Sequence, residues 1–92
     1  MIIGVAKEIK TEEYRVGLTP MTTKPFVSRG HTVLIEQGAG VGSGFSDDEY
    51  RSAGAQIIAS KKEIFDKADM IIKVKEPLAE EYDLFREGQI LY

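Results

Sequence analysis

Arg15, Lys73 and Lys75 have the side-chain types and the placement to act on a small anion. Arg15 lies in "TEEYRVGLTP", next to Tyr14 and Val16. Its planar guanidinium can grip a carboxylate through two parallel hydrogen bonds. The same side chain could instead pair at the surface with Glu12 or Glu13. Lys73 and Lys75 lie two apart in "IIKVKEP", so they share a face if that stretch is extended. Lys75 precedes Glu76-Pro77, where a strand must stop because proline cannot join a ladder. An ammonium at that end can donate to a carbonyl oxygen and polarise it. The competing reading is that one or both lysines snorkel along the sheet edge. Lys73, inside the apolar run, suits a structural role better than Lys75.

A second stretch, "VLIEQGAGVGSGFSDDEY", resembles a phosphate cradle in outline only. A dinucleotide loop needs G-x-G-x-x-G and an acid about 20 residues later. Counting six from Gly38 reaches Ser43, and from Gly40 reaches Phe45, so the spacing fails. Asp47, Asp48 and Glu49 fill the first turn of the helix that follows and would repel a phosphate. The loop is read as a turn whose glycines supply positive φ.

The elements that must position these residues alternate in type. Ile2–Val5, Thr32–Ile35, Gln56–Ile58, Met70–Val74 and "QILY" at 89–92 read as strands. Helices are expected after Thr19, Ser46 and Ser60, with a short fourth in "LAEEYDLF". Pro25 fits the first helix badly, and a start near Thr23 would move it into the first turn. Strand and helix in alternation predict an α/β fold: an open, mostly parallel sheet of about five strands with helices on both faces, a flavodoxin-like or Rossmann-like half. Connections should be right-handed. Ligands of such sheets bind beyond the carboxyl ends of the strands. Between Ala6 and Thr19 the chain gives no clear helix or strand signal, which is long for a strand-to-helix loop and marks it as functional.

Bulk properties close off other classes. The 92 residues make one small domain with a net charge of -3 and no basic patch, so nucleic acid is not an expected partner. The absence of cysteine removes disulfides and thiolate chemistry, and a lone His31 leaves no histidine metal cluster. No signal-peptide pattern or membrane-length apolar run is present, so a cytoplasmic protein is expected. The apolar run reaching Tyr92 reads as a cut rather than a natural end.

Four stretches carry a family resemblance: "KEIKTEEYRVGLTP", "GHTVLIEQGAGVGSGFSDDEY", "AGAQI" and "ADMIIKVKEPLAEEYDLFREGQIL". Together they resemble the amino-terminal region of bacterial alanine dehydrogenase, across essentially the whole chain. Nicotinamide nucleotide transhydrogenases have a related amino-terminal domain, but "KVKEPLAEEYDLFREGQIL" is closer to alanine dehydrogenase. The resemblance implies NAD-dependent, reversible oxidative deamination of L-alanine to pyruvate and ammonia, with the active site between a substrate domain and a dinucleotide domain. It implies that Arg15 binds the substrate carboxylate. Lys75 would bind the substrate oxygen and stabilise charge as the carbinolamine and imine form.

On this reading residues 1–92 are the amino-terminal part of the substrate domain, and the NAD-binding domain is absent. NAD would sit on a later glycine motif in the full-length enzyme, with no cofactor or metal ligand in these residues. The family's catalytic histidine and aspartate would also lie beyond Tyr92, so the chain alone is expected to be inactive. A homo-oligomer is a further expectation from the family. The alternatives are the amino-terminal domain of a transhydrogenase alpha subunit, or a stand-alone 2-oxo acid binding module.

Overall fold

The computed structural model describes residues 1–8, 16–73 and 88–91. The expected helix in "LAEEYDLF" lies outside these residues, as do Val74 and Tyr92. Among the described residues five strands form one sheet: β1 (Ile2–Val5), β2 (Thr32–Glu36), β3 (Gln56–Ile58), β4 (Met70–Ile71) and β5 (Ile90–Leu91). Every pairing is parallel and the order is β3-β2-β1-β4-β5. From β1 the chain builds outward to β2 and β3, then returns to lay β4 on the other side of β1. The winding therefore reverses between β1 and β4, and a crevice opens beyond their carboxyl ends.

Alternation along each strand sorts its side chains into two layers. Ile3, Val5, Val33 and Ile35 are buried with Tyr50, and Phe26 and Val27 pack against them. These last three belong to α1 (Pro20–Ser28) and α2 (Asp47–Ser52), which cover that face. Ala6, Leu34 and Ile71 pack on the other face against Ile64, Phe65 and Ala68, of which Ile64 and Phe65 lie on α3 (Lys61–Lys67). A sheet covered on both sides needs nearly continuous apolar strands, which is why "IIGV" and "VLI" show no polar alternation. Burial of a side chain as large as Ile64 or Phe65 stabilises by about 1.5–3 kcal/mol.

The helix ends follow their sequence signals. Ser46 accepts from the Glu49 amide, and Glu49 reaches back to the Ser46 amide at 3.1 Å. Ser60 caps α3 by accepting from the Glu63 amide. The side-chain amide of Gln89 donates to the carbonyls of Phe65 (2.6 Å) and Ala68 (2.8 Å), closing the other end of α3.

The later start considered for the first helix does not occur. Thr19 is the cap, with a reciprocal pair: its hydroxyl accepts from the Thr22 amide, and the Thr22 hydroxyl accepts from the Thr19 amide at 2.8 Å. Pro20 takes the first helical position, and Pro25 stays inside the helix, where it has no N–H to give Met21. The double cap and the packing of Phe26 and Val27 hold the helix across that defect.

Candidate functional site at the carboxyl ends of β1 and β4

Arg15 and Lys75 lie outside the described residues, but Lys7, Glu8, Val16 and Gly17, and Ile72 and Lys73, are described. Past β1, Ala6 is fully buried. The Lys7 amide donates to the Glu36 carboxylate at the end of β2 (2.8 Å), and the Lys7 carbonyl accepts from the Lys61 ammonium (3.0 Å). Lys61 and Glu36 are themselves 4.0 Å apart. These contacts fix the direction in which the chain leaves the sheet.

Glu8 follows, and its carboxylate lies 3.3 Å from the ammonium of Lys73, just beyond β4. The two side chains are 3% and 2% exposed, so this is a buried ion pair. Snorkelling is thereby overturned for Lys73, whose ammonium is turned in to a carboxylate rather than out to water. Burial of two charges is offset only where the charges meet closely, as these do.

The chain on the far side of Arg15 is held just as firmly. Gly17 packs on Ile72 so closely that a Cβ would lie 2.8 Å from the Ile72 carbonyl oxygen. The Leu18 carbonyl accepts a 2.6 Å hydrogen bond from the buried hydroxyl of Tyr50. Burial, with the charges of Asp47 and Glu49, pushes the Tyr50 phenol up to about 12. Glu8 and Gly17 bracket Arg15 in sequence, and both meet the pair Ile72-Lys73 that leads to Lys75. The structure thus brings Glu8 and Gly17 to Lys73 and Ile72, at the reversal between β1 and β4.

Neither Glu8 nor Tyr50 stands out in the sequence. The Glu8–Lys73 and Tyr50–Leu18 contacts carry no local signal.

The glycine loop does not fit a dinucleotide. The Gly38 amide, at φ +79, is taken by the Asp47 carboxylate at 2.9 Å. Gly44 also has positive φ, whereas a Cβ on Gly40 would strike the Tyr50 ring at 2.6 Å. The loop is packed on Tyr50 rather than open to a pyrophosphate. A cleft of about 620 Å³ lies between α1 and α2, beside Met21, Lys24, Phe45 and Asp48. Among the described residues no group of three or more His, Cys, Asp or Glu could hold a metal, and no helix is long and apolar enough to cross a membrane.

Residues 4–92 match the family described as alanine dehydrogenase/PNT, N-terminal domain. The chain is 60% identical over its whole length to an alanine dehydrogenase of Methanococcus maripaludis and 58% identical to one of Bacillus subtilis. It spans about a quarter of the length of each, 25% and 24%. Of solved structures, an L-alanine dehydrogenase matches 99% of this chain with a TM-score of 0.96 at 52% identity, the match covering 25% of that chain. A transhydrogenase from Sinorhizobium meliloti matches 99% with a TM-score of 0.91 at 36% identity, over 26% of its own chain.

Proposed function

Since this chain belongs to the alanine dehydrogenase/PNT N-terminal domain family, we propose that it is the amino-terminal part of the substrate domain of an L-alanine dehydrogenase. The larger enzyme would interconvert L-alanine with pyruvate and ammonia in the cytoplasm, using NAD. The observation that carries this reading is the meeting of Glu8 and Gly17 with Lys73 and Ile72. It brings the flanks of Arg15 and Lys75 together where an open parallel sheet binds its ligands. The higher identity to the alanine dehydrogenase structure than to the transhydrogenase favours that member of the family.

In this role Arg15 clamps the carboxylate of pyruvate or alanine through its guanidinium fork. Lys75 donates to the substrate's carbonyl oxygen, so negative charge developing there meets a fixed ammonium. On the family resemblance, the hydride acceptor would be held by a dinucleotide domain elsewhere in the larger enzyme. These 92 residues alone therefore bind without turning over.

The test is a pyruvate titration followed by backbone amide shifts, in the native chain and in Arg15→Lys. Lysine keeps the charge and loses the fork, so affinity should fall about tenfold. Equal affinity in the two proteins would refute the clamp.

A further inference from the structure

α1 is apolar on two sides. Phe26 and Val27 pack into the core, and Thr23 is fully buried. Met21, Lys24 and Pro25, spaced i, i+3 and i+4, share the opposite, exposed side. Met21 is 79% exposed, more than any other large hydrophobic side chain among the described residues. A helix whose outer side meets only water carries polar and charged residues there. Met21 and Pro25 break that rule, and Pro25 does so while removing a backbone donor from the helix.

The same side of α1 borders the cleft between α1 and α2. Met21 and Lys24 line it from α1, while Phe45 and, on α2, Asp48 and Glu49 line it from across. The cleft is thus apolar at Met21 and Phe45, cationic on one wall and acidic on the other. Among the described residues Lys24 makes no ion pair. Asp48 meets Arg51 at 2.6 Å, but both side chains are more than half exposed, so that pair is weak and open to a second cation.

We infer that the cleft between α1 and α2 is a twofold docking surface for a second copy of this chain, in which Met21 of each copy enters the cleft of the other and Lys24 of each meets Asp48 and Glu49 of the other.

Charge decides the occupant. An isologous interface must be complementary to itself. Here a twofold axis turns the cationic α1 wall of one copy onto the acidic α2 wall of the other, and the match is made twice. An unrelated partner would need both signs in that arrangement, whereas a second copy supplies them by symmetry. The patch is small, so the pair forms weakly and reversibly. The family expectation of a homo-oligomer names no surface. The inference uses no residue of the proposed substrate site, so the two are tested apart.

Sedimentation of the native chain from about 10 µM to about 1 mM should show the mass rising from one copy to two. Lys24→Glu places like charges at both contacts of the pair, and Asp48→Lys does so with the opposite sign. Each variant alone should pair at least about tenfold more weakly. Mixed in equal parts, the two variants regain an opposite pair at both contacts, and affinity should return to within about threefold of native. Such rescue between chains is not produced by a change within one copy. If either variant fails to fold, the native chain decides: in a mixture of isotope-labelled and unlabelled copies, the Met21 methyl should show nuclear Overhauser contacts to the other copy. A native chain that stays monomeric at about 1 mM overturns the inference. So does a mixture that pairs no more tightly than its folded parts, or a dimer whose Met21 methyl meets nothing of the other copy.

Discussion

The hydroxyl of Tyr50 on α2 donates a 2.6 Å hydrogen bond to the carbonyl of Leu18, in the chain that leads away from Arg15. The contact is buried and links two stretches 32 residues apart. Replacing Tyr50 with Phe keeps the ring in place and leaves the Leu18 carbonyl without that donor. An unsatisfied buried acceptor costs about 1–3 kcal/mol. Urea denaturation of Tyr50→Phe should show a loss in that range, and a loss under ~0.5 kcal/mol would mean that the bond holds nothing.

The same residue predicts a pH dependence. Its phenol ordinarily titrates near 10 and in the fold is pushed up to about 12, first by burial and then by Asp47 and Glu49. The folded state thus favours the protonated phenol. Its contribution is complete below pH 10 and fades as the pH rises through 12, by on the order of 2–3 kcal/mol. The stability gap between the native chain and Tyr50→Phe should therefore be flat up to pH 10 and narrow above it. A gap that widens above pH 10 would contradict the assignment.

Gly17 has no room for a side chain. A Cβ there would meet the Ile72 carbonyl oxygen at 2.8 Å and its carbonyl carbon at 3.2 Å, atoms that cannot rotate away. Gly17→Ala should destabilise the fold by about 1–3 kcal/mol. It should also weaken pyruvate binding, because the chain beside Arg15 must lift off β4. Thermal melting and the amide titration measure the two effects separately. Full affinity in a destabilised variant would mean that the close approach serves stability alone.

Pro25 is a defect that the helix tolerates. An interior proline costs about 3 kcal/mol, of which up to about 1 is returned by the stiffer unfolded chain. Pro25→Ala restores a donor to Met21 and should raise stability by about 2 kcal/mol in urea denaturation. A neutral or negative effect would show that the ring of Pro25 is needed against a neighbour.

The strands and caps were legible because their signals are local. Thr19 before Pro20 and Ser46 three residues before Glu49 each declare themselves within one turn of chain. Pro25 misled for the same reason: a local rule moved the helix start, while the Thr19–Thr22 pair and the packing of Phe26 overrode it. The site was legible only through residue types at strand ends and a family resemblance. The partnership of Glu8 with Lys73 joins opposite ends of the sequence, and no periodicity or spacing connects them. What holds Lys73 became visible only with β1 and β4 side by side.

The place of β1 in the sheet also orders the assembly of the protein in time. β2 pairs with β1 across about 30 residues of chain (Ile2 with Thr32), whereas β4 reaches β1 only after more than twice that length (Ile3 with Met70). Each doubling of a loop adds about 0.6 kcal/mol of closure entropy, so the β1–β2–β3 half with α1 and α2 gains its contacts first. β4 then docks late, bringing Ile72 to Gly17 and Lys73 to Glu8. The β1–β4 junction is thus expected to form after the β1–β2 pairing, and amide exchange at Ile72 should be faster than at Leu34.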